Sequence, residues 1–404
     1  MHSLIVNRYS VLMRILHTIH SIDPVGGGPI EFIRQLAPLY NRDGHDLIVA
    51  TMDTPDSPFI KEFPGKVVAF GPSTNGYGFS SGYLPWLQKE RQNFDATIVH
   101  GLWQYPGLGT WQGLHDSRTP YLVFPHGMLD PWFQKQYPLK HLKKSLYWRL
   151  AEHKVLRDAA AVLFTAEDER VNARDSFQPY ECREVVVGLG CSAPSGNREQ
   201  QAQTFLSAYE NLKNKRIVLF LGRIHEKKGC DLLLQAFSKA QLADQNIELV
   251  MAGPDNDGYA NELKTQVPAS IRNRITWTGM LVGDLKWGAI YCSEGLILPS
   301  HQENFGIVVA EALACGKPVL LSNKVNTWRE ILAEDAGLVA TDDLEGTEQL
   351  LLRWFKMTDT EREKMQANAR PCFEKHFEIS AAYARINATI EQAIERQPNR
   401  QGRI

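Results

Sequence analysis

The sequence predicts an α/β protein made of two doubly wound domains. Three observations carry this. Short apolar strands alternate with helices along the whole chain. Such strands, separated by helices, imply parallel sheets covered on both faces. The alternation also breaks once, at a polar, turn-rich stretch, and then restarts. A length of 404 residues suits two or three domains rather than one.

The first strand is read at Arg14–His20 (RILHTIH), leaving residues 1–12 as a flexible extension. Ser21–Pro29 is a loop carrying Gly26, Gly27 and Gly28. Pro29 suits the first turn of a helix at Ile30–Tyr40, which sets Ile30, Ile33, Leu36 and Ala37 on one face. Gly44 ends that helix and Leu47–Thr51 is the next strand, completing a βαβ unit with glycines at the strand-to-helix turn. Further strands are expected at Lys66–Phe70, Ala96–His100, Tyr121–Pro125, Ala160–Phe164 and Arg183–Val187. The segment after Gly188, CSAPSGNREQ, is the linker.

The second domain is expected to hold strands Arg216–Gly222, Ile247–Gly253, Arg274–Gly279, Gly295–Pro299 and Pro318–Ser322, with a helix at Asp231–Ala240. A last helix, Ile379–Ile394, repeats Ile386, Ile390 and Ile394 every four residues and is expected to pack back on the first domain. The expected divisions are therefore 1–195, 196–378 and a returning helix at 379–404. Ligands of such folds bind at the carboxyl ends of the strands, here in a central cleft that the two domains face.

Composition narrows the function. The net charge of −2 lacks the basic surplus of a dedicated nucleic-acid binder. Six cysteines at 182, 191, 230, 292, 315 and 372 show no close CxxC spacing, which fits reduced thiols in a cytoplasmic protein. No apolar run reaches the length of a membrane-spanning helix, and the N-terminus has no secretory pattern.

Two loops carry chemistry. After strand 216–222 come Arg223, Ile224, His225, Glu226, Lys227, Lys228 and Gly229, which places cations where a strand opens into a helix. An Arg fork and a Lys point charge suit a diphosphate, although a solvated basic turn has the same composition. The second loop, in PSHQENFGIVVAEALACGK, carries Glu303, Asn304 and Phe305 before Gly306 opens a helix. The amides near Phe305, Gly306 and Ile307 are donors with no intrahelical acceptor, and the helix dipole favours an anion there. Glu311 lies more than a turn further on. It is apart from Glu303, so the two suit two hydroxylated ends of one ligand better than paired acid/base chemistry. A helix-surface glutamate is the competing reading of Glu311.

GRIHEKKG at 222–229 followed by PSHQENFGIVVAEALACGKPV at 299–319 resembles the large retaining glycosyltransferase family 4, of GT-B fold, including its Glu-x7-Glu spacing from Glu303 to Glu311. The likeness covers about residues 13–395 in the family's order. The PHGMLDPW segment at 125–132 is similar to a branch of bacterial and cyanobacterial exopolysaccharide transferases that includes a heterocyst-envelope transferase. The resemblance implies that Arg223 and Lys228 bind the donor diphosphate. It implies that Glu303 holds hydroxyls of the transferred sugar and that Asn304, Phe305, Gly306 and Ile307 contact sugar and phosphate through the backbone. Glu311 would accept from the ribose, and the base would lie on the turn at Gly279, Met280 and Leu281. Gly27 and Gly28 would admit the diphosphate and acceptor, and His126 would sit beside the transferred sugar as the best catalytic candidate, unless it is a satisfied structural residue of its turn.

The implied function is a retaining, metal-independent hexosyl transfer, from UDP-glucose as the family-weighted donor, to a polysaccharide or lipid-linked oligosaccharide. No cofactor is expected. No Asp-x-Asp motif stands at a suitable place, so the cations would replace a metal in stabilising the departing diphosphate. A nucleotide-sugar epimerase of the same fold and a non-catalytic sugar-nucleotide-binding protein are the alternatives. A pyridine-nucleotide dehydrogenase fits poorly, since the first loop reads GGG rather than G-x-G-x-x-G.

Two aromatic stretches bear on the acceptor. Trp103, Tyr105 and Trp111 could stack on sugars or pack in a core. Pro131–Asp158 sets Lys135, Lys140, Lys143, Lys144, Arg149, Lys154 and Arg157 against Glu152 and Asp158, a surplus of five cations, interleaved with Trp132, Phe133, Tyr137, Tyr147 and Trp148. That composition suits a membrane surface, an anionic lipid-linked acceptor or a plain solvated basic helix. The expected location is cytoplasmic, peripheral at the inner face of the membrane.

Overall fold

Thirteen parallel strands among the described residues form two sheets. The computed structural model describes residues 12–73, 76–132, 134, 138–240 and 246–397. The expected extension at 1–12 lies almost wholly outside the described residues, as do Phe133, Lys135 and Tyr137. The chain divides into two units. The first comprises Met1–Phe164, Arg170–Val187 and Tyr383–Ile404, and the second Thr165–Glu169 and Gly188–Ala382.

The first unit holds β1 (Arg14–Ile19), β2 (Asp46–Thr51), β3 (Lys66–Ala69), β4 (Ala96–His100), β5 (Tyr121–Phe124), β6 (Ala161–Phe164) and β7 (Glu184–Val186). Their order is 3-2-1-4-5-6-7. Five of β1's six residues and all of β4, β5 and β6 are buried, so both sheet faces are covered. Leu16, Val99, Val123, Phe164, Tyr83 and Trp148 belong to one core. The helix expected from residue 30 starts at Gly28, with Gly27 as its N-cap (φ 84°, ψ −137°), a conformation open to glycine alone. The helix includes Pro38 and runs to Arg42.

The second unit holds β8 (Arg216–Leu221), β9 (Ile247–Ala252), β10 (Ile275–Gly279), β11 (Gly295–Leu298), β12 (Val319–Ser322) and β13 (Gly337–Ala340), in the order 10-9-8-11-12-13. Strand β13 goes beyond the sequence reading. It is four residues long and buries only Gly337 and Leu338 fully, so it gives little pattern. Each sheet reverses its order once, between β1 and β4 and between β8 and β11. Those switch points are where open α/β sheets leave a crevice at the carboxyl ends of their strands.

The unit boundaries differ from the expected 195/196 and 378/379. Thr165–Glu169 goes with the second unit because Asn304 Nδ2 donates to Thr165 Oγ1 (3.0 Å), while Trp328 and Arg329 bind Asp168 at 3.1 and 2.9 Å. The linker residue Cys191 also pairs with Phe377, at 3.0 Å. The last helix spans Ile379–Glu395, and its residues from Tyr383 onward belong to the first unit. There Tyr383 meets Tyr40 edge-on at 5.1 Å, Arg385 donates to the Val187 carbonyl at 2.6 Å, and Arg183 donates to Gln392 at 3.1 Å. None of the six cysteines is in a disulfide.

Candidate active site

The second unit gathers its charged loops at the β8/β11 switch point. Strands β8 and β9 end so close that a Cβ on Gly253 would lie 1.8 Å from the Gly222 carbonyl oxygen. Only glycine permits that approach, and it fixes where Arg223 leaves the sheet. Ile224 N donates to the Pro254 carbonyl at 2.9 Å, and Arg223 itself is exposed. His225 then caps a 3-10 turn at Glu226–Lys228, its Nδ1 accepting from Lys227 N at 3.0 Å. Burial, then the Arg223 charge, lowers the His225 pKa, in keeping with an unprotonated accepting nitrogen. Gly229 closes the turn in the left-handed region, where a Cβ would meet the Pro299 carbonyl at 2.3 Å.

That packing brings the loop after β8 onto the loop after β11. His301 N donates to the Lys227 carbonyl at 2.9 Å, and the Lys228 ammonium bonds Glu303 Oε2. The sequence reading assigned these two side chains separate parts of a ligand; here they neutralise each other. Burial alone would raise the Glu303 pKa. The Lys228 charge and hydrogen bond outweigh it, helped by Lys227 and the Asn304 amide, so the carboxyl lies below its usual range. Glu303 is held by its backbone as well, since its N donates to the Lys324 carbonyl and its carbonyl accepts from Asn326 N, both at 3.0 Å.

Gly306 is the N-cap of helix Ile307–Ala314, with φ 69° and ψ 68°. Its carbonyl accepts from Val309 N at 2.8 Å, while the Ile307 and Val308 amides before it have no acceptor within the helix. A Cβ here would press on Val309 (3.1 Å) and on Glu303 Cγ (3.3 Å). The Asn304 side chain is taken up by Thr165 and, at 3.4 Å, by Asn326, while its backbone amide serves the Glu303 carboxylate.

Glu311 is no surface residue: it is 5% exposed and accepts from Lys286 Nζ at 2.7 Å. Sequence reasoning missed Lys286. It lies on helix Gly283–Cys292, whose sequence GDLKWGAIYC has no charge spacing that points toward Glu311. On the neighbouring turn Gly279 has φ 69°, Met280 is exposed and Leu281 is buried. Val282, exposed like Met280, joins it as an outward apolar side chain that sequence reasoning did not single out.

The remaining sequence-predicted residues belong to the first unit. Gly27 is exposed, with open space where a Cβ would stand, and Gly28 opens the helix after it. His126 follows β5 in the left-handed region (φ 51°) with Gly127 (φ 76°) behind it. Its Nε2 is 2.9 Å from His100 Nδ1. Burial lowers its pKa to about 3, so the ring is neutral near pH 7 and cannot serve there as a charged acid.

The aromatic stretches resolve largely as core. Tyr105 is buried and Trp103 packs on Trp148 and Phe177 at 6.0 and 4.9 Å. Trp111 donates to Asp158 at 2.9 Å. In Pro131–Asp158, Trp148 is fully buried and Tyr147 hydroxyl-bonds Tyr77 at 2.7 Å, so these aromatics do not face a ligand. The exposed apolar side chains are leucines instead: Leu139, Leu142, Leu146 and Leu150, between 63% and 83% exposed. No cluster of three or more potential metal-ligating side chains occurs among the described residues. No described helix is long and apolar enough to cross a membrane.

Comparison with known proteins agrees with this geometry. Residues 27–190 match the glycosyl transferase 4-like domain and residues 201–371 the glycosyl transferases group 1 domain. The chain is 27% identical over 316 residues to the α-D-kanosaminyltransferase of Streptomyces kanamyceticus, covering 75% of this chain and 80% of that protein. A phosphatidyl-myo-inositol mannosyltransferase of Mycolicibacterium smegmatis is 34% identical over 145 residues, 34% of this chain but only 35% of its own length. Among solved structures, Anabaena HepE in complex with UDP and glucose superposes with a TM-score of 0.73 at 16% identity, over 94% of this chain and all of that one. The sucrose-phosphate synthase of Thermosynechococcus elongatus gives 0.73 at 18% identity, over 95% and 99%. With two parallel sheets, both family domains in order and charged loops at the second switch point, the chain belongs to the group 1, family-4-like glycosyltransferases of GT-B fold and is a transferase enzyme.

Proposed function

We propose that this enzyme moves a hexose, with retention of configuration and without a metal, from UDP-glucose to a polysaccharide or polyprenyl-linked oligosaccharide. The observation that carries the reading is the pair of lysine–carboxylate contacts, Lys228 with Glu303 and Lys286 with Glu311, at one switch point. An arriving diphosphate competes with Glu303 for Lys228. Once released, Glu303 accepts from hydroxyls of the sugar, while Glu311, still oriented by Lys286, accepts from the ribose. The base lies on the turn at Met280 and Leu281, and the diphosphate takes the Phe305, Gly306 and Ile307 amides.

Leaving-group departure adds negative charge to the diphosphate. Arg223, Lys228 and the helix N-terminus stabilise that charge from fixed positions, and this is the work a metal would otherwise do. The acceptor oxygen bonds the anomeric carbon on the face from which the diphosphate departs, and the departing phosphate oxygen takes the acceptor's proton, so configuration is retained with no side-chain nucleophile. Gly27 and Gly28 admit the diphosphate and acceptor, and the neutral His126 bonds a hydroxyl of the transferred sugar. HepE, whose structure contains UDP and glucose, supports the choice of donor. The test is a panel of sugar nucleotides read by thermal shift, with EDTA present, followed by product analysis. Free epimerised nucleotide sugar without acceptor would point to an epimerase, and tight binding without hydrolysis or transfer to a binding protein.

The enzyme works at the inner face of a membrane in this reading. Leu139, Leu142, Leu146 and Leu150 recur every three or four residues through helix Pro138–Tyr147 and the turn after it, and Lys140, Lys143 and Arg149 lie exposed among them. A leucine stripe with flanking cations fits an anionic lipid surface.

A further inference from the structure

The first sheet carries at its own switch point a cluster of which the proposed function uses His126 alone. His17 in β1, His100 at the end of β4 and His126 after β5 form a chain. His17 Nδ1 lies 2.9 Å from His100 Nε2, and His100 Nδ1 lies 2.9 Å from His126 Nε2. The rings are nearly parallel, at 17° and 15°, and Phe124 stacks on both His100 and His126. His17 and His100 are buried, and the far nitrogen of His17, Nε2, has no hydrogen-bond partner. Burial lowers the pKa of His17 to about 3 and that of His100 well below its ordinary value, with the neighbouring imidazoles adding to the effect at His100.

Neutral imidazole has one N–H and one accepting nitrogen. His100 uses both, so it must donate on one side and accept on the other. Two hydrogen bonds among three neutral rings then allow only two arrangements, and each is all-or-none. Either every ring is protonated on Nδ1 and the chain donates from His17 toward His126, or every ring is protonated on Nε2 and it donates the other way. The second arrangement strands an N–H at His17 in the core; the first strands a bare ring nitrogen. A buried N–H without an acceptor is the rarer defect in protein interiors.

We propose that His17 and His100 are positioning residues that hold His126 as the Nδ1–H tautomer, so that it presents a hydrogen-bond donor at Nδ1 to the transferred sugar. The functional meaning rests on the proposed role of His126; the tautomer pattern does not, since it is read without substrate. Nitrogen-15 histidine spectra of the unliganded full chain at neutral pH are expected to show His17, His100 and His126 all protonated on Nδ1. Protonation on Nε2, or unlike tautomers among the three, overturns the proposal. In His17→Phe, which keeps a ring in the core but removes the first link, His126 is expected to become a tautomer mixture. Turnover should fall about fivefold, the scale of one weakened hydrogen bond. A His126 that keeps one tautomer in that variant, or a scrambled His126 with unchanged turnover, also overturns it. If the variant does not fold, the wild-type spectrum decides. If no transfer activity is ever found, the spectrum still tests the histidine chain while the enzyme reading fails by itself.

Discussion

The two sheets share one topology and treat charge in opposite ways. At the second sheet's switch point two carboxylates are matched by two lysines, and the Glu303 carboxyl sits below its usual range. At the first sheet's switch point three histidines are kept neutral by burial. Nearby, Glu152 is fully buried; burial, opposed by the Trp103 amide, Lys144 and Tyr147, pushes its pKa up to about 7. One switch point therefore carries paired charges and the other neutral imidazoles. The switch point marks where a ligand sits, while the residues placed on it decide which kind.

Breaking the charged side should have the largest effect. Lys228→Ala is expected to lower kcat by 10²–10³, about 2.7–4 kcal/mol in barrier, as for the loss of one preorganised donor to developing charge. Steady-state kinetics checks this, and a variant with near-normal kcat would deny Lys228 its role. Lys286→Met removes one hydrogen-bonded cation from the buried Glu311 carboxylate. It should destabilise the protein by about 1–3 kcal/mol, the scale of one charged hydrogen bond, and raise donor KM more than it lowers kcat, as Glu311→Ala should.

The neutral side gives a pH signature of opposite sign. Glu152 binds its proton more tightly folded than unfolded. Between its ordinary value of 4.5 and about 7 the unfolded chain loses that proton while the folded chain keeps it, so stability falls as pH rises through this window. Glu152→Gln should remove roughly 2–3 kcal/mol of that decline, measured by denaturant unfolding from pH 4.5 to 7.5. An unchanged slope would mean Glu152 is not held protonated. A smaller effect is expected for Gly306→Ala, which forces φ 69° on a residue with a Cβ and crowds Glu303: about 1–2 kcal/mol of stability, with a raised donor KM. Smallest is Leu142→Asp, which should leave transfer to a soluble acceptor unchanged and reduce co-flotation with anionic liposomes. Equal flotation of both forms would discard the membrane role.

Much of the second unit was legible. Strands such as RIVLFL and IELVMA are continuous apolar runs of the right length, and glycines and prolines mark their ends. Arg223, Lys228 and Glu303 stood at strand-to-helix turns, and Glu311 on the helix that follows, at positions that local spacing reveals. Their pairing did not show. Lys228 and Glu303 are 75 residues apart and Lys286 and Glu311 are 25 apart, so only the folded sheet brings them together. The histidine chain was hidden for the same reason, because His17, His100 and His126 meet across β1, β4 and β5 and share no local motif. The basic aromatic stretch misled in a different way. Composition does not say which side chains of a helix are buried; Trp148 and Glu152, one of the two counter-charges, went inward and the leucines outward.

In the proposed function, chain cations led by Lys228 hold the donor diphosphate without a metal. Calorimetric titration of the full chain with UDP, in excess EDTA, tests it most directly. Saturable binding is expected that weakens as salt is raised and is lost or sharply reduced in Lys228→Ala. Binding that appears only when a divalent cation is restored, or that Lys228→Ala leaves intact, would contradict it.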